Sequence, residues 1–246
     1  MVNEATISKL YDMKLSVMAS AFRQQTEDNA LNKLSFDERF GLLVDTEWSS
    51  RKNNRLKRLI HKADFPISDA CIEDIEYRAD RKLDRDQIIQ LSTCGYVTDK
   101  RNIIILGATG AGKTYLSCAF GMAACRQFYS VKYIRLPELL DELAVARGEG
   151  IFQKVIQGYK KIDLLILDEW LLIPLTDSEN RDLLEVVESR RGRCSTIFSS
   201  QYAPAGWRKI MGESPLAESV LDRIIHDSYT IFIDGEESMR KHKGSH

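Results

Sequence analysis

Apolar and polar residues follow two different rhythms along this chain. Over the first hundred residues, apolar positions recur near helical spacing, at Leu10, Met13, Leu15, Met18 and Phe22, and again at Phe40, Leu43, Val44 and Trp48. Such spacing lines one face of a helix and predicts helices without strands. Ser35 and Glu38 have the three-residue separation of a capping box, which predicts a helix from Phe36 onward. Pro66 interrupts, with Asp64 and Ser68 beside it as turn or cap residues. Between Cys71 and Gln90 charges of both signs mix with Ile72, Ile75, Leu83, Ile88 and Ile89, which reads as a connector plus an amphipathic helix.

After Lys100 the rhythm changes. Apolar runs at Ile103–Leu106, Val131–Leu136, Leu164–Leu167, Thr196–Ser199 and Tyr229–Ile233 alternate with helical stretches at Tyr115–Phe128, Pro137–Ala146, Ile151–Tyr159 and Ser178–Arg190. Fully apolar strands alternating with helices predict an α/β fold, a five-stranded parallel sheet covered on both faces. Ligands of such sheets bind at the carboxyl ends of the strands. The expected organisation is a small helical N-terminal domain over residues 1–66, a helical connector over 67–98 and an α/β domain over 99–246.

Composition narrows this little. With 43% hydrophobic and 29% charged residues the chain is ordinary for a globular protein, and a net charge of -1 removes any bulk electrostatic pull toward nucleic acid. The five cysteines form no C-x-x-C pair and lie far from the four histidines, so free thiols are expected instead of zinc or a disulfide framework. The sequence has no charged-then-apolar leader and no long apolar run, which points to a soluble, cytoplasmic protein without a membrane partner.

The chemistry is concentrated in two motifs. Gly107, Ala108, Thr109, Gly110, Ala111, Gly112, Lys113 and Thr114 match G-x-x-x-x-G-K-[ST] at every fixed position, between a strand and a helix. Glycines let the backbone curl so that amide N–H groups face phosphate oxygens, and the following helix adds its positive end. Lys113 is suited to the β- and γ-phosphates of ATP, and Thr114 to Mg²⁺. The second motif, Leu164-Leu-Ile-Leu-Asp168-Glu169, ends an apolar strand in two acids. Asp168 is expected to hold Mg²⁺ through its water shell, and Glu169 to activate the attacking water, which favours hydrolysis over phosphoryl transfer to another acceptor. Trp170, which follows, reads as packing.

Together with Ser199-Ser-Gln201, Leu221-Asp-Arg223-Ile and Gly235–Arg240, these motifs resemble AAA+ ATPases of the DnaC/IstB type in identity and order. Met13-Lys-Leu, Leu34-Ser-Phe-Asp-Glu38, Glu47–Arg58 and Ala63-Asp-Phe-Pro66 resemble the N-terminal helical domain of IstB-like transposition helpers. The resemblance implies that the strand at Thr196–Gln201 lies between the strands bearing the phosphate loop and the acids, with Gln201, or Ser200 beside it, sensing the γ-phosphate. It implies that Arg223 is an arginine finger acting on a neighbouring subunit, and that Arg240 touches nucleotide within its own subunit. Self-association bridged by ATP follows, as does a transposase partner encoded beside the gene.

Arg51, Lys52, Arg55, Lys57, Arg58 and Lys62 fall in a stretch without acids, and Arg51, Arg55, Arg58 and Lys62 share a helical face. Alone, such a stripe reads better as a solvated helix face. With the resemblance, it becomes a candidate for sequence-independent contacts to duplex DNA. The expected function is an ATP-dependent transposition helper, with a DnaC-like helicase loader and a nucleotide-gated binding module of negligible turnover as rivals.

Overall fold

The computed structural model describes residues 2–28, 31–212 and 215–234. The chain divides into two compact units, Met1–Arg58 and Leu59–His246.

The first unit contains α1 (Val2–Asp12), α2 (Ser16–Glu27) and most of α3 (Phe36–Ala63). Helix α3 starts where the capping box places it. Ser35 N donates to Glu38 Oε2 at 2.8 Å, and Glu38 N donates to Ser35 Oγ at 3.3 Å. Helix α2 has no side-chain cap of its own, and Glu47 of α3 supplies one. Its Oε2 accepts from the backbone N–H of Val17 (3.1 Å) and Met18 (2.9 Å), which satisfies two of the amides that a helix start leaves unpaired. The apolar stripe on α3 divides in an unexpected way: Leu43 is buried, whereas Phe40, Val44 and Trp48 are exposed. The buried face of α3 includes Leu43 and Glu47, so a charged cap residue takes a place that periodicity alone would give to an apolar one.

In the second unit the chain passes residues 64–84 with one short 3₁₀ turn, Ala79–Arg81, before α4 (Arg85–Ser92) and α5 (Gly95–Thr98). The sheet follows: β1 (Asn102–Gly107), β2 (Val131–Arg135), β3 (Leu164–Asp168), β4 (Ser195–Ser200) and β5 (Ser228–Ile233). Every pairing is parallel, and the order is β2-β3-β4-β1-β5. The crossovers carry α6 (Lys113–Arg126), α7 (Leu136–Gly148), α8 (Phe152–Lys160), α9 (Asp177–Arg190), α10 (Pro204–Met211) and α11 (Pro215–Ile225).

Strand side chains alternate between two covered faces. Ile104, Leu106, Leu165, Leu167 and Phe198 join the core built with α7, α8, α9, α10 and α11, where Trp170 and Trp207 are fully buried. On the opposite face Ile166 meets α6 at Gly121, where an added Cβ would come within 2.9 Å of the Ile166 Cδ1 and 2.5 Å of Phe65. Burial of each of these large side chains contributes roughly 1.5–3 kcal/mol, which overrides the modest local propensities of short strands. Helix α10 was not apparent from spacing. It begins with Pro204 at a position where a missing N–H costs nothing, and it buries only Trp207 and Met211. The described helices include none long and apolar enough to cross a membrane.

Candidate functional site

All five strands end on one edge of the sheet, and the two motifs meet there. Gly107 closes β1 so near β5 that an added Cβ would lie 2.6 Å from the Ile233 carbonyl oxygen, which is why no larger residue opens the loop. Gly110 and Gly112 have φ of 84° and 96°, conformations that side chains disfavour, and the loop enters α6 at Lys113. The Lys113 ammonium donates to the carbonyls of Gly107 (2.8 Å) and Ala108 (2.9 Å), so it lies folded over its own loop. Partial burial holds its pKa below the ordinary value, and the Asp168 carboxylate opposes that shift.

Asp168 is buried at the end of β3 and receives three donors. Thr114 Oγ1 (2.6 Å) and the Tyr133 hydroxyl (2.8 Å) converge on Oδ2, while the amide of Glu169 donates to Oδ1 at 2.9 Å. Burial, the nearby charge of Asp168 and the bond to it push the Tyr133 phenol well above its usual pKa, so this group remains a donor. The paired oxygens of Thr114 and Asp168 suit a hard divalent cation completed by water, the coordination that Mg²⁺ favours. Among the described residues no cluster of three or more His, Cys, Asp or Glu offers a separate metal site.

Glu169 leaves the strand with φ of 54°, which turns its carboxylate out of the core. It lies 3.8 Å from Arg135, which ends β2 and also pairs with Glu138. Trp170 turns back inward, its amide bonded to Ser199 O at 2.8 Å and its ring edge-on to Phe198 and Trp207. Strand β4 lies between β1 and β3, and the two candidate sensors at its end differ in kind. Ser200 Oγ is buried, donating to Trp170 O (2.9 Å) and accepting from Trp207 Nε1 (3.0 Å). The Gln201 side chain instead accepts from Thr109 Oγ1 at 3.0 Å, against the phosphate loop.

Beside the loop opens a cavity of about 680 Å³, within the range of small-molecule sites. Gly110, Gly112, Lys113 and Thr114 form one wall; Ile67, Ile75, Arg81 and Leu83 form another, with Tyr115 and Leu116 from α6. The segment read as a connector therefore lines the site. No spacing rule marked these residues, because residues 64–84 have little periodic structure. Tyr133 and Arg135 were likewise missed, since a polar tip on an apolar strand gives no signal of where it points.

Arg223 lies elsewhere. It pairs with Glu188 of α9 and donates to Ser219 O at 2.7 Å, within its own chain. Arg240 falls outside the described residues. The cysteines are all free thiols, and burial pushes Cys118 and Cys125 up to about 12.

On α3, the cations of the basic stripe differ in their surroundings. Arg51 Nε donates to Glu47 Oε1 at 2.6 Å and Arg51 Nη2 to the Lys14 carbonyl at 2.6 Å, which joins α3 to the turn before α2. Lys52 Nζ stands 3.7 Å above the Trp48 ring, and Arg58 Nε donates to Asn54 O at 3.2 Å. Arg51 is thus tied into the packing of α3 against the turn before α2.

The parallel order, the phosphate loop and the strand-end acids define a P-loop ATP-binding protein of the AAA+ class. Residues 8–246 match the IstB-like ATP binding protein family, and the chain belongs to it. An ATP-binding protein of insertion sequence IS1162 from Pseudomonas fluorescens is 42% identical over 201 residues, covering 82% of this chain and 87% of that one. An insertion sequence ATP-binding protein of Sinorhizobium fredii is 37% identical over 99% of both chains. Among solved structures, DnaI aligns with a TM-score of 0.59 at 19% identity, covering 72% of this chain and 93% of that one. AMPPCP-bound DnaA from Aquifex aeolicus aligns with a TM-score of 0.58 at 20% identity over 70% of this chain and 52% of its own; at such identities the likeness concerns the fold.

Proposed function

We propose that this protein hydrolyses ATP, assembles with copies of itself on duplex DNA, and there prepares a target for the transposase of its insertion sequence. The observation that carries the hydrolytic part is the meeting of Lys113, Thr114, Asp168, Glu169 and Gln201 around one loop at the carboxyl edge of the sheet. Lys113 exchanges its two loop carbonyls for the β- and γ-phosphates. Thr114 and Asp168 are the residues that would hold Mg²⁺, which when bound neutralises charge across the phosphate oxygens. Tyr133 keeps Asp168 oriented for that task. Glu169, turned outward and tethered only loosely to Arg135, orients the attacking water and takes its proton. Gln201 reports on the γ-phosphate through its contact with Thr109. Arg223 would leave Glu188 to reach the ATP of a neighbouring copy, and Arg240 would complete the site within its own copy.

Transposition is favoured because the relatives at 42% and 37% identity belong to insertion sequences. The DNA contact is assigned to Lys52, Arg55, Arg58 and Lys62, which would touch phosphates without reading bases. The test traps ATP with Glu169→Gln and compares protection of duplex and single-stranded DNA of equal length. Duplex preference, with capture of the adjacent transposase, is expected. Preference for single strands together with capture of a replicative helicase would overturn the transposition reading and favour a loader.

A further inference from the structure

Arg81 is a buried arginine without a carboxylate partner. It is 7% exposed, and among the described residues it forms no ion pair. Its guanidinium donates to two neutral carbonyls, Glu76 O at 2.8 Å and Ala111 O at 3.1 Å, and its Nε has no acceptor. Burial lowers its pKa, and the charges of Glu76 and Asp80 only partly offset this. A buried, incompletely compensated charge is costly, and a neutral side chain could brace a carbonyl with less penalty. Its position explains the charge. Ala111 belongs to the phosphate loop, and Arg81 lines the cavity beside that loop.

The Ala111 carbonyl and the Gly112 amide are the two ends of one planar peptide and point in opposite directions. Because Arg81 holds the Ala111 carbonyl, it also fixes the opposite direction for the Gly112 N–H. Gly112, at φ of 96°, has the freedom to adopt either orientation, so the peptide needs a fixed partner. The brace is itself anchored. Asp234 N donates to Arg81 O at 3.0 Å, and Lys82 pairs with Asp234 at 2.8 Å. The preceding residue, Ile233, packs against Gly107, so the end of β5 steadies Gly107 directly and Ala111 through Arg81.

We propose that Arg81 is a positioning residue for nucleotide binding, which holds the Ala111–Gly112 peptide so that the Gly112 N–H receives the β-phosphate. Its positive charge, at the cavity that opens beside the loop, favours an anion there and works against Asp69, Asp74 and Glu76, which line the same cavity. This rests on reading Gly107–Thr114 as the nucleotide loop, and Lys113→Ala tests that reading separately: retained binding in Lys113→Ala would count against the loop itself.

The test uses the full chain with Arg81→Met and Arg81→Lys, titrated with fluorescent ADP and ATP. Both nucleotides carry the β-phosphate, so Arg81→Met should weaken both by at least tenfold and to the same degree. Arg81→Lys should recover part of the loss. In ¹⁵N-glycine-labelled protein, the Gly112 amide shift on adding ADP should shrink in Arg81→Lys. If Arg81→Met does not fold, the affinity and amide shift of Arg81→Lys decide. ADP affinity within twofold of the unsubstituted protein in the folded variants, with the Gly112 shift unchanged, would overturn the proposal. Loss of ATP affinity alone would do so too, by placing the arginine at the γ-phosphate.

Discussion

Polar groups are used in opposite ways at the carboxyl edge of the sheet and on the basic face of α3. At the sheet edge, Thr114 and Tyr133 lie 54 and 35 residues from Asp168 in sequence, yet both donate to the same carboxylate oxygen. On α3, Arg51 and Lys52 each meet a residue four positions earlier, Glu47 and Trp48. Bringing distant polar groups together inside a protein carries a desolvation cost, which the fold offsets with hydrogen bonds to every oxygen of Asp168. Exposed cations on a helix cost little to place and gain little from one another. A convergent site therefore indicates its chemistry by its own geometry, whereas a stripe acquires meaning only from a partner.

The largest effect is expected where the sheet-edge site would need a second copy. Arg223→Ala should bind ATP nearly as the unsubstituted protein does but lose DNA-stimulated hydrolysis by about 10³-fold, the usual scale for an arginine finger. Mixing it with Lys113→Ala should restore part of the activity, read as phosphate release at several mixing ratios. No rescue in confirmed mixed assemblies would leave Arg223 with its intrachain partner Glu188 as its whole role.

The stripe should respond in a graded way. Reversing Lys52, Arg55 and Arg58 to Glu should weaken binding to all duplex sequences alike, each lost phosphate contact lowering the log–log salt slope by about 0.9. ATP binding by the isolated protein should be unchanged. An unaltered slope would return these residues to solvent. Arg51 is excluded from this set, since an acid there would face Glu47 and disturb the helix packing.

The smallest effect belongs to Glu47 itself. Glu47→Ala removes the acceptor for Val17 and Met18 and should lower stability by roughly 1–3 kcal/mol in denaturant unfolding of the full chain. Burial works against its charge, but bonds from Arg51, Met18 and Val17 hold its pKa below the ordinary 4.5. Its contribution is accordingly present above that value and is lost as the pH falls through the lower, folded value. Unfolding that is equally pH-sensitive with and without Glu47 would contradict this role.

Much of the sheet and the phosphate loop could be read from the sequence because their signals are local. Four consecutive apolar residues at Ile103–Leu106 indicate a doubly covered strand, and glycines at fixed spacing indicate a curled backbone. Ser35 and Glu38 likewise announced the start of α3. What spacing could not show were contacts made across the fold. Arg81 lies in a segment with little periodicity, and only the folded chain brings it to the Ala111 carbonyl. Tyr133 is one polar tip in an apolar strand. Ser200 and Gln201 are adjacent and both polar, and only the fold shows that the serine bonds to Trp170 and Trp207 while the glutamine bonds to Thr109 of the loop. The exposed run of Phe40, Val44 and Trp48 followed a helical period but not the core, because Glu47 takes the inward place.

We propose that at the sheet edge Lys113 supplies tight ATP binding and Glu169 supplies hydrolysis, and one paired measurement tests this directly. ATP affinity and phosphate release are measured together for Glu169→Gln, with Lys113→Ala alongside. Glu169→Gln should bind ATP as tightly as the unsubstituted protein while release falls by at least 10²-fold, the scale of a lost general base, and Lys113→Ala should lose tight binding. Normal phosphate release by Glu169→Gln would contradict the account.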